Sequence, residues 1–321
     1  MHAHSVTVET AARLHFGLLD LSGASGRRFG GIGAAAPDIG TRISVEPFAS
    51  VEARGEDAER AAEFARRFMR HHGIHDGARI TVERAVPSHA GLGSGTQLGL
   101  SVARALAELH DLPTAAPALA RSVGRARRSA VGMWTFEGGG FVVEGGHRGD
   151  SNGTMPPLLA RAPFPATWRC VVVIPDARPG VSGEAEAEAF ASLPSPDVSE
   201  VDHVATLVLL RMLPAIAEDD VAAFGAALTE VQEINGRWFA SAQGGTFAPG
   251  PSTLLIQRMR EWGAAGVGQS SWGPAVYAVV DGDDLANDLA AKARAALGGA
   301  GRVHAGPFPA HGATVSLSSR A

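Results

Sequence analysis

The chain has 321 residues, 45% of them hydrophobic and 19% charged, a composition that supports a folded chain of two domains and excludes disorder. A formal net charge of -5 leaves no face-wide basic excess for a nucleic-acid backbone, and a single cysteine, Cys170, excludes an internal disulfide framework or a cysteine-rich zinc site. The N-terminus carries no basic segment followed by an apolar run, and no window approaches the roughly 18 apolar residues of a membrane span, so a cytoplasmic chain with no membrane partner is expected.

In chain order, Ser5–Thr10 alternates like a strand, Arg42–Glu46 repeats the pattern, and the glycine-rich interval between them is predicted as a functional loop. Residues 57–72 place Ala61, Phe64, Ala65, Phe68 and Met69 on one helical face, with Gly73 as the stop. A strand at 79–83 follows, then a glycine-rich stretch, a helix at 96–110 and a second helix at 115–129. After a strand at 141–144 the sequence turns rich in Gly, Pro and Asn, which sets the domain boundary: 1–165 and 166–321. The second half reads as a strand around a buried Cys170, helices at 201–217, 220–236 and 252–262, a strand at 275–280, a helix at 283–297 and a last strand at 313–317. Strands separated by helices without regular βα alternation favour an α+β class over a doubly wound sheet.

The glycine-rich stretch Pro87-Ser88-His89-Ala90-Gly91-Leu92-Gly93-Ser94-Gly95-Thr96-Gln97 joins a strand-like run to a helix-like one. Glycines let a backbone turn tightly and approach a ligand, and N–H groups at the start of the following helix favour an anion. Ser94, Thr96 and Gln97 add side-chain donors. A plain glycine turn before a capped helix fits the same residues.

Together with a second segment, Gly266-Val267-Gly268-Gln269-Ser270-Ser271-Trp272-Gly273-Pro274, this stretch resembles the paired glycine loops of the GHMP superfamily of small-molecule kinases. The resemblance implies a two-domain fold, ribosomal S5 domain 2-like at the N-terminus and ferredoxin-like at the C-terminus, with the active site in the cleft between. Those kinases carry an aspartate about eight residues before a Gly-Gly pair, where this chain has Gly132 ahead of Gly139-Gly140, and the glutamate that assists magnesium from the preceding helix is missing, that helix carrying Arg121, Arg125, Arg127 and Arg128 instead. The arginines suit a phosphorylated substrate.

One branch shares these differences: the sequence resembles the β-ribofuranosylaminobenzene 5′-phosphate synthases through Arg13–Asp20, Gly26–Gly33, His89–Gln97, Gly132–Gly140, Gln243–Phe247 and Gly268–Gly273. The resemblance implies a step of tetrahydromethanopterin biosynthesis in which 4-aminobenzoate reacts with 5-phosphoribosyl 1-diphosphate, releasing carbon dioxide and pyrophosphate. Whether the ring is 4-aminobenzoate or 4-hydroxybenzoate stays open, and a homodimer is expected from the resemblance. An ATP-dependent kinase and a non-catalytic ligand-binding relative are the competing functions.

On this reading the loop residues Gly91, Gly93, Ser94, Gly95, Thr96 and Gln97 hold the leaving pyrophosphate, with Mg2+ bridging its oxygens and Ser94 or Thr96 donating a ligand. Arg27 and Arg28 engage phosphate or carboxylate, or form a solvated loop pair. Asp20 meets the ribose or the developing positive charge, or serves a turn. His89 protonates the leaving group, or is a structural histidine. Trp134 and Phe136 face the aromatic ring, or pack in the core, and Gln269, Ser270, Ser271 and Trp272 close over the cleft.

Overall fold

The computed structural model describes residues 5–149, 154–177 and 183–318. The first half runs β1 (Ser5–Asp20), β2 (Arg27–Phe48), β3 (Glu52–Gly55), α1 (Ala58–His72), β4 (Gly77–Arg84), α2 (Ser94–Leu109), α3 (Ala116–Ser122), α4 (Val131–Gly138), β5 (Phe141–Glu144), β6 (His147–Arg148) and β7 (Leu158–Ala162). The second runs β8 (Trp168–Pro175), α5 (Gly183–Ser192), α6 (Val198–Leu207), a π-helical turn (Val208–Met212), α7 (Leu213–Glu218), α8 (Val221–Gln243), α9 (Pro251–Glu261), β9 (Gly266–Gln269), β10 (Val276–Asp281), α10 (Asp283–Leu297), β11 (Gly301–Pro307) and β12 (Thr314–Ser318).

Two sheets carry the molecule. In the first, β2 is long enough to pair with β1 along one edge and, on the other, with β5 through Gly31–Ala34 and with β4 through Arg42–Phe48. The second is antiparallel, ordered β11-β8-β10-β9. The chain leaves the first sheet at Ala162 and enters the second at Trp168, and β12 returns to pair with β1.

Periodicity explains the layers. The first ten residues of β1 alternate half-buried and buried: Val6 and Val8 pack into the α1–α4 layer, Ala12 and Leu14 into the core shared with the second domain, and beyond Leu14 both faces are covered. The expected helical face of α1 is buried, and Gly73, at φ 66, caps it by donating to the carbonyls of Met69 and Arg70. The two domains share one apolar core, in which the rings of Phe16 and Tyr277 lie 4.9 Å apart and those of Phe164 and Phe308 stack at 3.8 Å. Cys170 is buried in this core, and burial pushes its thiol pKa up, so it is inert at neutral pH. No helix among the described residues is long and apolar enough to cross a membrane.

Two expectations are corrected. The glycine-rich interval after Thr10 is not a loop but the paired strands β1 and β2, and the reversal is confined to Leu21–Gly26. Its glycines admit close packing instead: a β-carbon on Gly31 or Gly33 would lie 2.6 Å from a methyl of Val131 on α4. The helix expected over 115–129 stops at Ser122, since Gly124 (φ 70) and Ala126 (φ 59) occupy the left-handed region. Arg125, Arg127 and Arg128 therefore stand on a loop. Helices α4 and α5 and strands β3, β6, β7, β9 and β11 were not anticipated from sequence.

Candidate active site

The glycine stretch ends in α2, whose first turn has Gly93 (φ 76) as its cap and Gly91 (φ 81) just before it. The amides of Thr96 and Gln97 donate to the Gly93 carbonyl, which leaves the earlier N–H groups of the turn available to an anion. Over that turn sit two guanidinium groups: a β-carbon on Gly95 would lie 2.5 Å from Nη2 of Arg60 and 2.7 Å from Nη2 of Arg125. Glycine at 95 leaves room for both.

The second glycine loop docks onto the first. A β-carbon on Gly91 would lie 2.1 Å from the Ser270 carbonyl oxygen, and one on Gly273 would lie 2.1 Å from the Ala90 carbonyl. The Ser270 hydroxyl donates to the Gly91 carbonyl at 2.7 Å and accepts from the His15 amide at 3.0 Å, and Arg13 donates to the same Gly91 carbonyl. Three segments far apart in sequence thus meet on one oxygen.

Between the domains lies a cavity of about 300 Å³. Arg13 and His15 of β1, Thr96 of α2 and the loop residues Arg125, Arg127, Arg128 and Ser129 line it. Aromatic rings line it as well: Phe190 packs edge-on against Phe29 at 5.6 Å and Trp272 at 5.5 Å, Phe239 meets Trp272 at 4.8 Å, and the Arg128 guanidinium lies 5.4 Å from the Phe190 ring. Gln232 and Asn235 of α8 complete the floor, with Asn235 accepting from the Leu18 amide at 2.6 Å and donating to its carbonyl at 3.2 Å, as a neighbouring strand would.

The electrostatics favour an anion. Among the described residues no carboxylate lines the cavity, whereas four arginines do. Burial, reinforced by Arg60, Arg67 and Arg127, pulls the Arg125 pKa down to about 10, so the cluster is held together against its own repulsion. Burial and, after it, Arg13 depress His15 to about 3, which leaves a neutral imidazole 3.2 Å from the Ser129 hydroxyl. Behind it, fully buried Glu144 accepts from the amides of Ala130 (3.1 Å) and Gly146 (2.7 Å) and braces the loop that carries Ser129. A magnesium cage does not fit these residues: the nearby donors of the expected pair are the Ser94 and Thr96 hydroxyls, and no group of three or more His, Cys, Asp or Glu side chains suited to a metal exists among the described residues.

The residues singled out from sequence divide. Thr96, Gln269, Ser271 and Trp272 line the cavity. Gly91, Gly93, Ser94 and Gly95 shape the turn beside it, and Ser270 is buried as the clasp between the loops. Gln97 turns inward, accepting from Thr10 and donating to the Gly132 carbonyl, each at 3.0 Å. Asp20 is spent on its own turn, accepting from Ser22, Gly23 and Ser25, which hold its pKa low against the opposing effect of burial. Arg27 donates to the carbonyls of Gly145 and Gly146. Arg28 lies in an outer cleft and donates to the Leu21 carbonyl at 3.1 Å. His89 is exposed at φ 59, away from the cavity lining. Phe136 is in the core, and Trp134 stands half-buried on α4 with its Nε1 donating to the Pro156 carbonyl at 3.1 Å. Sequence reasoning did not select Arg13, His15, Phe190, Phe239 or Asn235; only the first two had a local signal, as part of the Arg13–Asp20 motif.

Comparison with known proteins identifies the family and the fold. The GHMP kinases N terminal domain model matches residues 59–137, and the GHMP kinases C terminal model matches 212–299. The chain is 37% identical over 299 residues to a β-ribofuranosylphenol 5′-phosphate synthase of Methanothermobacter thermautotrophicus, covering 85% of this chain and 88% of that one. A protein of the same name from Methanocaldococcus jannaschii is 28% identical over 321 residues, covering 88% and 92%. Among solved structures, homoserine kinase from Cytophaga hutchinsonii superposes with a TM-score of 0.69 at 16% identity, covering 98% of each chain, and Lactococcus lactis galactokinase with 0.70 at 12%, covering 97% and 95%. The solved structures share the fold, and the sequence relatives narrow it; the chain is an enzyme that belongs to the GHMP superfamily and, within it, to the family of β-ribofuranosylphenol 5′-phosphate synthases.

Proposed function

We propose that the chain condenses 5-phosphoribosyl 1-diphosphate with a para-substituted benzoate, releasing carbon dioxide and pyrophosphate, as a cytoplasmic enzyme of tetrahydromethanopterin assembly. The resemblance read from sequence put 4-aminobenzoate in the acceptor site; the relatives' names specify a phenol product, which makes 4-hydroxybenzoate the acceptor to be compared with it. One observation carries the reading: a single cavity combines an arginine wall, with Arg13, Arg125, Arg127 and Arg128, and an aromatic wall, with Phe29, Phe190, Phe239 and Trp272, the two meeting where the Arg128 guanidinium lies 5.4 Å from the Phe190 ring.

The chemistry asks for both walls. The anomeric C–O bond breaks with its electron pair leaving on pyrophosphate, and ring electrons form the new bond at the carbon that bears the carboxylate. Loss of carbon dioxide returns an electron pair to the ring, so no proton, oxidant or reductant is consumed overall. Arginines and the first turn of α2 stabilise the departing charge, and the aromatic wall holds the ring in line for attack. Neutral His15 is suited to a hydrogen bond with the para substituent and unsuited to deliver a proton as imidazolium at neutral pH. Magnesium enters only as a counter-ion carried on the diphosphate, given the donor set around the cavity.

The test incubates the protein with 5-phosphoribosyl 1-diphosphate, magnesium and either carboxyl-labelled benzoate, and follows labelled carbon dioxide. Release that depends on the donor is expected; ADP formation from ATP and small alcohols without such release would overturn the reading. Sedimentation tests the accompanying proposal of a homodimer.

A further inference from the structure

Adjoining the cavity along the Gly124–Arg127 loop lies a second cleft of about 620 Å³. The two share Phe29 and the loop itself as a common wall. Five arginines line the outer cleft, Arg28, Arg121, Arg125, Arg127 and Arg148, with His147 beside them, and among the described residues no carboxylate joins them. They come from four segments: β2 and β6 pair so that Arg28 stands opposite His147, α3 supplies Arg121, and the left-handed loop supplies Arg125 and Arg127. Nε of Arg125 is buried without a hydrogen-bond partner, and a β-carbon on Gly124 would lie 3.6 Å from Nη2 of Arg127 and 3.8 Å from Nη1 of Arg67. Glu63 pairs with Arg67 at the edge of this group, and with no carboxylate among the described lining residues the remaining guanidinium groups form a site for a phosphate group.

We infer that the outer cleft is the binding site for a phosphate monoester, the 5′-phosphate of the sugar donor, while the diphosphate end occupies the inner cavity at the first turn of α2. This rests on the proposed donor, which carries an anion at each end of one sugar. Phe190, Phe239 and Trp272 line the inner cavity and not the outer cleft, so the reacting carbon and its diphosphate lie in the inner cavity, and the second anion needs an adjoining basic site beside Arg125 and Arg127. The outer cleft is that site.

Two probes separate the ends. Ribose 5-phosphate carries the monoester alone and inorganic pyrophosphate the diphosphate alone. Arg121 and Arg148 are exposed and outside the inner cavity, so the double variant Arg121→Ala/Arg148→Ala tests the cleft without touching the reacting centre. Calorimetry on the full chain is expected to give ribose 5-phosphate binding weakened by roughly ten- to a hundredfold in the variant, as for loss of charge-assisted hydrogen bonds, with pyrophosphate binding changed by less than about twofold. Unchanged ribose 5-phosphate binding, equal weakening of both probes, or no binding of ribose 5-phosphate to the unaltered protein would each overturn the assignment. The assay of carbon dioxide release stands apart: binding as expected with no turnover would sink the proposed reaction and leave the monoester site standing. Charge-reversing Arg148→Glu checks folding independently, since it should abolish ribose 5-phosphate binding while circular dichroism and pyrophosphate binding persist.

Discussion

The hydroxyl of Ser270 donates to the carbonyl of Gly91 at 2.7 Å and so ties the second domain's glycine loop to the first domain's. Because the same hydroxyl accepts from the His15 amide at 3.0 Å, Ser270→Ala leaves a buried donor and a buried acceptor each short of a partner. Each orphaned group costs about 1–3 kcal/mol, although the Gly91 carbonyl retains Arg13. Urea unfolding should therefore register a loss of about 2 kcal/mol or more, and kcat should fall because the clasp sets the spacing of the cavity walls. An unfolding midpoint within error of the unaltered protein would show that the clasp is not holding the domains.

Gly91 is subject to two constraints at once. Its φ of 81 disfavours any side chain, and a β-carbon would collide with the Ser270 carbonyl oxygen at 2.1 Å and the Gly273 α-carbon at 2.8 Å. Gly26 has nearly the same φ, 83, with nothing within 4 Å of its would-be β-carbon, so it isolates the conformational part. Gly26→Ala should cost about 1–2 kcal/mol and leave activity intact. Gly91→Ala should cost about 3 kcal/mol or more, since overpacking adds to strain, and should lose activity. Equal destabilisation of the two would mean that the loops do not meet as described.

Local chemistry was legible in the sequence, and convergence was not. The glycine stretch before α2 could be read because its donors and its turn lie within ten or so neighbouring residues, and the α1 face because its period is local. The aromatic wall draws on Phe29, Phe190, Phe239 and Trp272, which no period or spacing connects. Glycine density misled at Gly31 and Gly33, where it answers the approach of Val131 and not a chain reversal. At Asp20 and Gln97 the residue types were suited to a ligand, yet nearby backbone groups and Thr10 offered partners first.

Gly132 stands where the kinases of the fold were expected to carry an aspartate. A β-carbon here would sit 3.2 Å from the Thr96 methyl and 3.4 Å from Cγ of Arg13, so a carboxylate would enter beside two cavity-lining side chains. Gly132→Asp would place negative charge against the arginine wall and compete with the donor's anion. A loss of at least about a hundredfold in kcat/KM for the phosphoribosyl donor is expected, comparable to cancelling one buried charge pair. No ATP-dependent phosphorylation of small alcohols should appear in the variant. Undiminished synthase activity would place the donor away from Arg13.

His15 makes stability depend on pH with a predictable sign. Burial, and after it Arg13, lowers its folded pKa to about 3 from 6.5 in a free chain. Between those values the unfolded chain takes up a proton that the folded chain refuses, so folding stability is full above 6.5 and is lost progressively as pH falls towards 3. The limiting slope for one group is about 1.4 kcal/mol per pH unit. His15→Gln removes this contribution while other acid-sensitive groups remain, so the difference between the two proteins is the measure. Urea unfolding at several pH values between 7.5 and 4.5 should find the variant's disadvantage at pH 7.5 shrinking, or reversing, at pH 4.5. The same depressed value means that kcat/KM of the unaltered enzyme should have no limb near pH 6.5 arising from His15. A stability difference that stays constant across the range would require an imidazole that titrates normally, and with it a His15 open to solvent.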